Sequence, residues 1–182
     1  MKISRTCSIM TLALTACVSA PKIDYYTLSV DPSGNARPSS NLEVEAVLTT
    51  GALAGNRIYI QAAPTRVEYY ATDRWAGSLG ELVQQKLQSE FGPVVTGERT
   101  LKVSGTLLAC GQLDMREGAA GHVKLAIVVR DPGRKRFEPP LLQKTYEATV
   151  GASVPTADAV VIAISRAVEQ VAAEIAADTA GL

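Results

Sequence analysis

Histidine occurs once in the 182 residues, at His122, which excludes any metal site built on several imidazoles and leaves at most one imidazole base. Aromatic residues are equally sparse, with one Trp, two Phe and six Tyr, so Ala, Val and Leu must fill the core. Neither sign of charge dominates, since 18 basic residues face 18 acidic ones, and no general attraction to nucleic acid is implied. Neither a GxxxxGK[ST] loop nor a GxGxxG turn is present, and no nucleotide site is expected. Apolar runs all fall short of the roughly 20 residues that a spanning helix needs.

What is present begins at the N-terminus. Lys2 and Arg5 form a positive n-region, Thr11–Ala16 carries a short apolar h-region, and small residues precede Cys17, the layout of an export signal. An ordinary signal ends in a small-x-small pattern. Leu14-Thr15-Ala16-Cys17 instead resembles the bacterial lipobox, which implies diacylglyceryl transfer to the Cys17 thiol, cleavage before it and acylation of the new amino group. Cys17 is therefore the expected lipidation site. Each buried methylene contributes about 0.8 kcal/mol, so two or three long acyl chains would hold the protein on a membrane as an anchor, without a spanning segment.

Loss of residues 1–16 would remove Cys7 with Lys2 and Arg5, leaving 16 basic and 18 acidic residues. Cys110 would then be the one free thiol in an oxidising compartment, with no cysteine left for an internal disulfide. It reads as a small buried hydrophobe in a strand.

The expected organisation is a signal peptide over 1–16, a lipidated terminus, tether and edge strand over 17–41, and one domain over 42–182. Tyr25–Val30 suits a strand, and the Pro-, Ser- and Gly-rich stretch 31–40 reads as a loop. Leu42, Val44, Ala46 and Leu48 alternate as one buried strand face, and 57–61 with 65–70 reads as a hairpin. A helix capped by Asp73 is expected to align Trp75, Leu79, Leu82, Val83, Leu87 and Phe91 on one apolar stripe, closed by Gly92-Pro93. Gly77 and Gly80 in it serve either close packing or a weak first turn. Three strands follow, on Leu101–Leu107, Val123–Val129 and Leu141–Val150, with turns at 118–121 and 131–133. A last helix capped near Thr156 buries Ala157, Val160, Val161, Ile164, Val168, Val171 and Ile175. The result is an α+β domain, a mostly antiparallel sheet carrying both helices on one side.

In this order, "YYTL" after the cysteine, "RVEYYATDRWAGSLGELVQQKL", "LKVSGTL" and "VVIAISRAVEQVAAEIA" resemble the ABC-type transport auxiliary lipoprotein family. That family includes lipoproteins made alongside mammalian-cell-entry proteins of paraquat-inducible type. The resemblance implies a periplasm-facing lipoprotein on the outer membrane. Its implied partners are a mammalian-cell-entry substrate-binding protein and ABC transporter components that move lipids or other hydrophobic molecules, with docking and no catalysis as this chain's part. A homo-oligomer is compatible with it; no cofactor or metal is implied.

Two other readings start from particular residues. A small periplasmic enzyme would have to use His122, which alternates with Val123 and shares the polar strand face with Lys124 and Arg130. A module for anionic surfaces would use Arg130, Arg134, Lys135 and Arg136 around the Asp131-Pro132-Gly133 turn, residues that serve equally as a solvated hairpin tip.

Overall fold

The computed structural model describes residues 20–182 apart from Arg37 and Arg136. Seven strands make one sheet: β1 (Asp24–Tyr26), β2 (Asn41–Thr49), β3 (Arg57–Ala63), β4 (Arg66–Trp75), β5 (Thr100–Asp114), β6 (Ala119–Arg130) and β7 (Leu142–Gly151). Two helices, α1 (Leu79–Phe91) and α2 (Ala157–Thr179), form the second layer. The α+β class and the helix pair on one side hold.

Strand order is β1-β4-β3-β5-β6-β7, with β2 against the first half of β5. β5–β6, β6–β7 and β3–β4 are antiparallel, and the first two are the long ladders. β1–β4, β2–β5 and β3–β5 are parallel. Alternation explains the single buried face of the centre: Val123, Leu125, Ile127 and Val129 of β6 are all 0 % exposed, while the residues between them are half-buried on the open face. Cys110 is fully buried in β5, as its strand setting implied.

Every residue expected on the α2 stripe is buried. The small residues of α2 let its backbone ride directly on β6, so a Cβ on Gly121 would sit 2.3 Å from the Ile164 nitrogen. Gly80 has the same role in α1, where a Cβ would lie 2.2 Å from the Val47 carbonyl oxygen of β2. Close packing is thus the reason for Gly80, whereas Gly77 lies before the helix.

Several local expectations are corrected. The alternation of Leu42, Val44, Ala46 and Leu48 breaks at a bulge between Val44 and Ala46, so Val47 is buried and Leu48 is exposed. Ser78 caps α1, its hydroxyl accepting from the Glu81 amide at 3.3 Å, and Asp73 lies in β4. Trp75 ends β4 and is not on the helix stripe: its amide donates to the Asn56 carbonyl and that of Ala76 to the Tyr26 carbonyl, both at 2.7 Å, which keeps the chain in the sheet. The turn before β6 closes at Gly118, with φ +91°, and Ala119–Gly121 already pair with β5 and β7.

Of the strand expected at Tyr25–Val30 only Tyr25 and Tyr26 pair, together with Asp24 before them. Residues 27–36 and 38–40 then form a strap across both helices, burying Leu28 and Ala36 in the main core. The Ser29 amide donates to Ser165 Oγ at 3.3 Å on α2, and Ser39 Oγ to the Ala180 carbonyl at 3.0 Å just past its end.

Candidate functional site

Lys86 and Glu90 occupy two positions of the α1 stripe that apolar residues would normally take, and both are buried. All three Lys86 Nζ donors are used, on Glu90 Oε1 and Glu169 Oε1 at 2.8 Å and on the Asp31 carbonyl at 2.9 Å. Glu90 also accepts from the Ser33 amide at 2.9 Å and the Ser33 hydroxyl at 2.6 Å. One ammonium therefore joins α1, α2 and the strap. Burial alone pushes the Lys86 pKa down; the bonds from Glu169 and Glu90 outweigh it and hold the group above its ordinary value. Glu90 mirrors this, because burial raises its pKa and the bonds from Lys86 and Ser33 bring it below the ordinary carboxylate value.

On the open sheet face, Glu147 of β7 sits between two side chains of β6, with His122 Nε2 at 2.9 Å and Lys124 Nζ at 2.8 Å. The Lys124 bond, then that of His122, holds its carboxyl below the usual range. The His122 side chain is 12 % exposed, less solvated than its strand face suggested, and its partner is a carboxylate already shared with a lysine. Lys102 pairs with Glu43 at 2.7 Å and lies 4.0 Å from Glu45, so those two acids serve as cross-strand charge. Cys110 touches no base, and burial pushes its thiol up to about 12. Among the described residues no group of three or more His, Cys, Asp and Glu could hold a metal ion, and no helix is long and apolar enough to cross a membrane.

At the far end of β6, the turn to β7 presents Arg134, Lys135 and Phe137 to solvent. Asp131 accepts from the Gly133 amide at 2.8 Å and pairs with Arg99 at 2.7 Å, the Arg99 bond being the larger cause of its lowered pKa. Arg130 donates to the Glu138 carbonyl at 3.2 Å.

Residues 26–176 match the family model for the ABC-type transport auxiliary lipoprotein component. The chain belongs to that family. The match begins inside β1 and ends within the last turn of α2, so it covers the strap as well as the sheet and both helices. Membership in the ABC-type transport auxiliary lipoproteins makes this protein a component associated with ABC transport, anchored at a membrane of the cell envelope.

Two solved structures share the fold. One is a Xanthomonas campestris protein of the family labelled DUF330, 16 % identical, with a TM-score of 0.68 over 85 % of this chain and 94 % of that one. The other is an uncharacterized protein, 19 % identical, with a TM-score of 0.65 over 87 % of this chain and 99 % of its own. No curated protein matches the chain.

The auxiliary lipoprotein's expected lipidation site, Cys17, lies outside the described residues, and so does Arg136 of the basic turn. His122 and Cys110 are placed far from forming a nucleophile–base pair: they stand on opposite faces of the sheet, one bound to Glu147 and the other in the core. Sequence reading missed the Lys86–Glu90–Glu169 cluster. Its signal was available, because Lys86 and Glu90 follow Leu82 at intervals of four and interrupt the apolar stripe.

Proposed function

We propose that this protein is a periplasm-facing auxiliary lipoprotein of an ABC and mammalian-cell-entry transport system that moves lipids or other hydrophobic molecules across the envelope. Its part is docking without catalysis, and its anchor is the acylated Cys17. The observation that carries the reading is the family match over 26–176, which spans nearly the whole fold. Leu14-Thr15-Ala16-Cys17 supports the anchor. Val18 stands where an Asp after the lipidated cysteine would signal inner-membrane retention, which favours the outer membrane. The groups that could do chemistry are otherwise engaged: the single imidazole is held by Glu147, and the thiol is buried with a raised pKa.

The test is a deletion strain complemented with tagged copies. The wild-type and His122→Ala copies should restore the envelope barrier, and crosslinking in cells should recover a mammalian-cell-entry protein. Cys17→Ala should lose fatty-acid label and complement poorly. Recovery of no envelope transporter component, or full rescue by the unanchored copy, would overturn the reading.

A further inference from the structure

The β6–β7 turn joins an unbalanced cluster of cations to an aromatic ring that nothing covers. Phe137 is 86 % exposed, more than any other large apolar side chain among the described residues. Beside it a cavity of about 440 Å³ is lined by Lys102, Arg130, Arg134 and Lys135 together with Glu45, Asp131 and Glu138. Asp131 is answered by Arg99 at 2.7 Å, while Lys102 is taken by Glu43 at 2.7 Å and lies 4.0 Å from Glu45. That leaves the Glu45 and Glu138 carboxylates against three cations, Arg130, Arg134 and Lys135, none of which has a carboxylate within ion-pair distance among the described residues.

Each feature alone is ordinary. A hairpin tip often carries solvated charge, and single exposed apolar residues are common. Their conjunction is more selective. An uncovered Phe costs free energy in water that an apolar phase returns, while unpaired Arg and Lys gain near a negative surface. A protein partner could supply the acids, but a partner built for this turn would have to bury the ring between charges. The headgroup region of an anionic bilayer offers phosphate to the cations and acyl chain to the ring within the same few ångströms.

We propose that the turn from Arg130 to Phe137 is a second membrane contact, in which Arg134 and Lys135 engage the phosphates of anionic phospholipid and Phe137 enters the interface. It goes beyond the anchor and does not depend on the transport reading. With both contacts made, the domain is oriented on its membrane instead of swinging freely on the tether.

The test uses residues 20–182, which contain the whole described core from Leu28 to Ala176, so that no acyl chain contributes. Cosedimentation with phosphatidylglycerol–phosphatidylcholine vesicles is compared with phosphatidylcholine alone. The expected result is salt-sensitive binding to the anionic vesicles only. Each charge near the surface is worth about fivefold, so Arg134→Glu with Lys135→Glu should weaken binding about 25-fold or more. Phe137→Ala should weaken it about tenfold. Arg66→Glu, at the tip of the β3–β4 hairpin, changes net charge as much as Lys135→Glu does and should leave binding within about twofold.

Insertion has its own readout. Phe137→Trp should shift its emission to the blue on adding anionic vesicles and be quenched by brominated lipid, whereas Trp75, 1 % exposed, should not respond. The proposal is overturned if neutral vesicles bind as well, if the double charge reversal binds like the wild type, if Arg66→Glu weakens binding as much as Lys135→Glu, or if the tryptophan at 137 stays in water.

Discussion

Replacing Lys86 by Met tests whether the strap is held by charge or only by packing. Methionine keeps the length and apolar character of the lysine stem but removes three donors at once. Glu169 is 20 % exposed and can turn to water. Glu90, whose side chain is 0 % exposed, cannot, and keeps only its Ser33 bonds. Removing one partner of a buried pair costs about 3–5 kcal/mol, because the remaining charge is left uncompensated. That range, read as a loss of unfolding free energy in urea at neutral pH, is the expected result.

The pH dependence separates this cause from a packing defect. In the wild type, Glu90 has a lowered pKa, so its contribution is present above the ordinary carboxylate range and is lost as pH falls through the folded value. Lys86 has a raised pKa, so its contribution is present below its ordinary value and is lost only in strong alkali. In Lys86→Met the burial of Glu90 and its Ser33 bonds remain while the Lys86 bond, the largest of those that lowered its pKa, is gone, so the folded variant takes up a proton more readily than the folded wild type does. The gap to the wild type should therefore narrow on going from neutral pH to about pH 5. Adding Glu90→Gln, which can still accept from Ser33, should recover at least about 1 kcal/mol at neutral pH. A loss below about 1 kcal/mol, or an equal loss at both pH values with no recovery by Glu90→Gln, would refute the account.

Gly121→Ala should destabilise by about 1–3 kcal/mol in thermal or urea unfolding, since its methyl would meet the α2 backbone and neither layer can yield cheaply; a neutral result would contradict the packing. Cys110 should resist a maleimide in the folded state at mildly alkaline pH and react at once in denaturant, because its thiol is buried and pushed up to about 12; rapid native labelling would contradict its place in the core.

The parts of the fold legible in sequence are those whose cause is local. β5 and β6 alternate because one face meets the helices and the other does not, and the α2 stripe recurs at three and four for the same reason. Trp75 shows the limit. It precedes Leu79 by four, so it fits a helical stripe, yet its amide is held by Asn56 and the next amide by Tyr26, both outside any local window. The start of α1 moved from Asp73 to Ser78 for that reason: tertiary hydrogen bonds kept five more residues in the sheet, and Ser78 with Glu81 supplied the first cap beyond them.

The strap followed the same rule at larger scale. Turn formers over 31–40 were legible, but the destination of the segment depends on Lys86, Glu90 and Ser165, which lie more than 50 residues downstream. The basic turn was the opposite case, since its charges were plain in sequence and their meaning was not. Alternation and composition do not distinguish a solvated tip from a contact surface; what distinguishes them is which carboxylates come within reach. Once Arg99 takes Asp131 and Glu43 takes Lys102, Arg130, Arg134 and Lys135 outnumber the remaining acids beside an uncovered ring, and that imbalance exists only in three dimensions. It follows that the residues most informative about partners here are polar ones whose expected partners went elsewhere, a property no single-residue pattern records.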